Sequence, residues 1–173
     1  MNAHGTQNYF TQVEAALDCL IDMHLQACHI YSSVGFYFVD GLGGQKDVGY
    51  FFHELAEKKS EGAHHLLMRT HLRRCFLRQC RQRVPQAEWS SSLHAIETAL
   101  ALEKNINQAL LDLNALGWAH ADHHLCEFLV YHFLEEEVKI IQKMDDCLTN
   151  LHRLASPEAV LSESFGKLSL KRN

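Results

Sequence analysis

Proline is almost missing from this chain: Pro85 and Pro157 are the only two among 173 residues, and glycine numbers nine. Leu, Ala, Glu, Gln, Lys and Arg are plentiful instead, a balance that excludes a sandwich or barrel of many short strands and favours long helices. No apolar run approaches the roughly 18 residues that a membrane span needs, and the stretch from Met1 to Tyr9 lacks the charged-then-apolar pattern of a secretory signal. A soluble, unprocessed chain with no membrane partner is expected. Positive charge is short as well: a net charge of −5 argues against a general nucleic-acid binder, whose affinity comes from clustered cations meeting phosphates. The cysteines Cys19, Cys28, Cys75, Cys80, Cys126 and Cys147 form no C-x-x-C pair. Neither a zinc site nor a disulfide framework is expected, and reduced thiols of a cytoplasmic protein are.

What the chain has is helical periodicity. Val13, Ala16, Leu17, Leu20, Met23, Ala27, Ile30, Tyr31, Val34 and Phe38 fall on one face of a helix over about 11–38. Gly41, Gly43 and Gly44 interrupt the pattern, and Val48, Phe52, Leu55, Gly62 and Leu66 resume it over about 46–72. Around Pro85 and three serines the periodicity fades into a long connection. A third helix is expected over about 93–117, ended by Gly117, and a fourth over about 123–154 with Val130, Phe133, Leu134, Ile141, Met144, Leu148 and Leu151 inward. Ser156 and Pro157 mark the start of a short fifth helix over about 157–170. The fold class is therefore all-α, a single domain over 1–173, with short, long and short connections that give an up-down four-helix bundle with one crossover.

Four polar residues, His24, Lys59, Glu103 and Glu137, interrupt otherwise apolar stripes. A buried unpaired charge is costly, so Lys59 is expected to meet Glu103, Glu137 or both, with His24 hydrogen-bonded nearby; a surviving metal site is the alternative. Glu54, Glu57 and Glu61 follow at i, i+3 and i+7, which puts three hard oxygen donors on one side of helix two. A plain solvated face is the competing reading. His120, Asp122, His123, His124, Cys126 and Glu127 crowd the start of helix four. Arg69, Arg73, Arg74, Arg78, Arg81 and Arg83 form a basic stretch that has only Phe76 for base stacking, which points to a solvated loop more than to nucleic acid.

Several segments together resemble the vertebrate ferritin light chains: Asn8-Tyr9, Val13-Glu14-Ala15-Ala16, Phe51-Phe52-His53-Glu54-Leu55-Ala56-Glu57, Ala101-Leu102-Glu103-Lys104, Asn107 to Leu113, and Leu148-Thr149-Asn150-Leu151. The likeness covers almost the whole length. Ferritin-like bundles hold di-iron sites with inward Glu and Glu-x-x-His residues. The resemblance implies that the matching positions here are His24, Lys59 with Gly62, Glu103 and Glu137, with Tyr31 as a neighbouring tyrosine. Two helix-two ligands are absent, because the tetrapeptide reads Lys59-Ser60-Glu61-Gly62.

The resemblance further implies an iron-storage subunit without its own ferroxidase centre, in a 24-subunit shell with copies of itself and with ferritin heavy chains. Iron is then the cargo, as Fe²⁺ in transit and Fe³⁺ mineral. Glu54, Glu57 and Glu61 become cavity residues that nucleate mineral, with Lys58 where the pattern has another glutamate. His124 and Glu127 become channel residues, with Val130 replacing the second channel carboxylate. Glu103 and Glu137 become the remnant of the di-iron site. Two rivals stand beside this: a residual oxidase using His24, Glu103 and Glu137, and a diverged bundle that interacts with a partner but no longer assembles.

Overall fold

Leu17, Leu20, Ile21, Ala27, Tyr31, Val34 and Phe38 share one face at helical spacing and all are buried, which gives helix α1 (Ala3–Asp40) an apolar face interrupted by the buried His24. The computed structural model describes residues 3–40, 45–70, 89 and 91–155. Helix α1 starts well before the expected position 11, because its first turns are polar and carry no apolar stripe for a sequence pattern to register.

Helix α2 (Lys46–Arg69) has Asp47 in its first turn, where a carboxylate meets the positive end of the helix dipole. It stops at Thr70, whose backbone turns extended while its N–H still reaches the carbonyls of Leu66 and Leu67. Helix α3 (Ser92–Ala119) is capped by Ser91, whose hydroxyl accepts from the N–H of His94. Asp122 does the same for helix α4 (His123–Leu129), accepting from the N–H of Leu125 at 3.1 Å. A π-helical turn, Val130–Leu134, joins α4 to α5 (Glu135–Ala155), so the fourth rod of the bundle runs on without a break. Helix α1 packs on α2 and α3, and α3 packs on the α4–α5 rod. The shared core includes Phe52, Leu66, Ile96, Ile106, Leu110, Leu129 and Met144.

Two expectations need correction. Gly117 does not end helix three: the helix continues to Ala119, and the left-handed residue that reverses the chain is Ala121, at φ 54°. Gly117 serves packing instead, since an added Cβ there would lie 3.0 Å from Cys126 Sγ. Val130 does not point inward either. It is 38% exposed, while Leu129, Phe133, Ile140, Met144, Cys147 and Leu151 form the buried stripe. The wide π turn inserts extra residues into the helical repeat and shifts the apolar face off the expected register. The glycine turn 41–44, the crossover, the arginines from Arg73 to Arg83 and the segment 157–170 lie outside the described residues.

Candidate functional site

Burial of Lys59 decides what the centre of the bundle can hold. Helix α2 carries it inward one turn after Leu55, and only 3% of the residue is exposed. Its ammonium donates to Glu103 Oε1 from α3 and to Glu137 Oε1 from α5, the latter at 2.6 Å. The Tyr31 hydroxyl from α1 donates to the other oxygen of Glu103. The cation thus joins α2 to α3 and α5, Tyr31 adds α1 through Glu103, and Glu103 has both oxygens bonded.

The electrostatics follow from one ammonium serving two buried carboxyls. Burial alone would raise Glu103, but the adjoining Glu137 carboxyl and the Lys59 charge outweigh it and hold Glu103 below the usual carboxylate range. Glu137 goes the other way. Burial, then the neighbouring Glu103 carboxyl, push it up to about 9 despite Lys59. Burial would lower Lys59, and the two glutamates reverse that and raise it. One ammonium thus faces two buried carboxyls whose proton affinities are pushed in opposite directions, Glu103 down and Glu137 up.

His24 completes the site from α1. Its Nδ1 lies 2.8 Å from the Leu20 carbonyl, which only accepts, so the neutral ring carries its proton there and leaves a lone pair on Nε2. Burial, then the charge of Lys59, lower its pKa to about 4. The ring edge packs on Phe133 with centroids 5.3 Å apart. A Cβ built on Gly62 would meet His24 Cδ2 at 2.9 Å and Phe133 Cε1 at 3.1 Å. The imidazole from helix one therefore occupies the room a side chain on helix two would use. Sequence reading missed this coupling, although the shared rarity of histidine on an apolar stripe and glycine inside a helix was visible.

These residues do not fit a pair of metal ions. The two carboxyls face an ammonium, and helix two offers no second ligand pair. Among the described residues no group of three or more His, Cys, Asp or Glu side chains is arranged to hold a metal. Glu54, Glu57 and Glu61 all lie exposed on α2; Glu61 lines one cavity with His24, Lys59 and Glu137, and Lys58 reaches across to Glu136 at 3.0 Å. His124 and Glu127 are both exposed and border an open cleft of about 760 Å³ together with Trp118, Val130 and Tyr131. Arg69 stacks over Phe128, 5.2 Å from the ring centre.

Comparison with known proteins bears on all of this. A family model described as a Ferritin-like domain matches residues 14–154. The chain is 52% identical over 176 aligned residues to the ferritin light chain of Felis catus, with 100% of both chains covered. It is 50% identical over 175 residues to that of Oryctolagus cuniculus, again with 100% of both covered. It is 40% identical over 167 residues to the oocyte isoform of the light chain of Xenopus laevis, covering 95% of this chain and 94% of the other.

Proposed function

The chain belongs to the ferritin family, and on that footing we propose that it is a non-catalytic iron-storage subunit of the light-chain kind. The observation that carries this reading is the Lys59 ammonium held between Glu103 and Glu137. A fixed positive charge repels Fe²⁺ at the place where two irons would need bridging carboxylates, so oxidation of iron falls to other subunits. Glu103 and Glu137 then serve as structural remnants of a metal centre.

Storage needs a surface on which ferric mineral begins. Exposed Glu54, Glu57 and Glu61 supply hard oxygen donors at helical spacing, which supports nucleation on that face of α2. Lys58 subtracts from the negative charge there but spends its own on Glu136. His124 and Glu127 are the channel candidates for Fe²⁺, and the exposed Val130 beside them weakens a cation path built from copies of this chain alone.

The partners on this reading are copies of the chain and ferritin heavy chains, in a shell of 24 subunits, located in the cytoplasm. Large exposed apolar side chains, including Phe36, Met68, Trp118 and Val138, support broad subunit contacts. None of the helices described is long and apolar enough to cross a membrane.

Size-exclusion chromatography with light scattering, followed by stopped-flow mixing with Fe²⁺ in air, tests the proposal. The expected result is a large closed assembly that oxidises Fe²⁺ slowly and without saturation. Rapid saturable turnover would favour the residual oxidase built on His24, Glu103 and Glu137. A persistent monomer that adds no iron would favour the diverged interaction bundle.

A further inference from the structure

Between α2 and the fourth rod lies a cavity of about 340 Å³ that leads inward to the Lys59 cluster. Exposed polar side chains, Lys58, Glu61, His65, His132 and Glu136, line its outer part. Its inner part is lined by His24 and Glu137, which are only 1% and 2% exposed. Each of these two has one buried side-chain atom without a hydrogen-bond partner in the chain, His24 Nε2 and Glu137 Oε2. The other polar atom of each is engaged: His24 Nδ1 lies 2.8 Å from the Leu20 carbonyl, and Glu137 Oε1 accepts from Lys59 at 2.6 Å. Buried polar atoms in folded proteins nearly all have a partner, so two that border one cavity point to a ligand held between them.

We propose that the inner end of this cavity binds an ordered water molecule that bridges His24 Nε2 of α1 and Glu137 Oε2 of α5. The ligand here must donate to His24, because the proton on Nδ1 leaves Nε2 only a lone pair. Burial, then the charge of Lys59, lower the pKa of this ring to about 4, which keeps it in that neutral form. Toward Glu137 the ligand must serve either protonation state, donating to a carboxylate oxygen or accepting from a carboxylic acid. Water does both from one place. A metal ion does not fit, because the Lys59 ammonium bonded to the same carboxyl repels it. An apolar guest would leave both atoms unsatisfied, the costly case for buried polar groups. Room is not limiting: one water needs roughly 10–15 Å³ of such a cavity, and the polar outer part lets solvent in. The water would join α1 to α5, a link that neither Lys59 nor Tyr31 makes directly, and the bundle centre is then hydrated and not a dry ion pair.

High-resolution X-ray and neutron diffraction from metal-free crystals of the full-length chain, exchanged into D₂O near pH 7, tests the site. The expected result is one ordered D₂O within hydrogen-bond distance of both His24 Nε2 and Glu137 Oε2, with a deuteron aimed at the imidazole nitrogen. His24→Phe removes the acceptor and should lose that water. Lys58→Met changes only the exposed mouth and should keep it. An inner end empty of density, a solvent peak bonded to just one of the two atoms, an anomalous signal marking a metal there, or the same peak persisting in His24→Phe would each overturn the proposal. If His24→Phe fails to fold, the parent crystals decide alone. None of these results bears on iron storage, because iron is absent from every arm.

Discussion

His24 has the clearest pH signature of any single residue. Its pKa is about 4 folded against 6.5 for the free side chain. A depressed pKa means that its neutral form supports the fold above pH 6.5 and that this support is lost as pH falls toward 4. The size is about 3 kcal/mol at full development, from 1.36 kcal/mol for each pH unit. Guanidinium unfolding at pH 7 and pH 4.5 should show the parent chain losing more stability than His24→Leu, and equal losses would refute a buried neutral ring. Lys59→Met should destabilise by about 3 to 5 kcal/mol, since it leaves Glu103 charged and unpaired in the core. Calorimetric melting checks that. The Lys59 cluster was legible in the sequence because a charge on an apolar stripe demands a partner. The role of Gly62 was not, because glycine in a helix announces only a missing side chain and never what fills the space.

At the scale of elements, α1 and α2 are coupled through that space. Gly62→Ala should cost about 1 to 3 kcal/mol by overpacking against the His24 ring. In a His24→Ala background the penalty should fall to what the Phe133 contact alone imposes, and a double-mutant cycle reads the difference as a coupling energy. Additive penalties would show that the ring does not set the limit. Restoring Glu at 59 and His at 62 should not by itself rebuild a metal pair, for the same steric reason. The turn into α4 gives a second case: Ala121 sits at φ 54°, so Ala121→Gly should stabilise by about 1 kcal/mol, measurable as a rise in Tm. The helices themselves could be read from period alone, since burial enforces it. Their ends could not, as with the polar start of α1, nor could the π turn, whose extra residues mimic an ordinary repeat until Val130 is seen facing outward.

The whole molecule is a bundle whose centre is closed by charge and whose outside carries large exposed apolar side chains. Tyr9 donates to Asp122 at 2.7 Å and stacks on His120, which fastens the start of α1 to the turn before α4. Trp89 donates to Ser33 of α1 at 3.0 Å. Family membership was legible across the whole chain, because many short segments agree in order and spacing. The exposed apolar side chains that support subunit contacts were not, since Phe36, Met68, Trp118 and Val138 are scattered along the sequence. The central claim concerns the space around Lys59, and anaerobic crystals soaked in ferrous salt examine it directly. The account expects no iron within coordination distance of Glu103 and Glu137, with the ammonium still bonded to both. Two iron atoms bridged by those carboxylates, with Lys59 displaced, would contradict it.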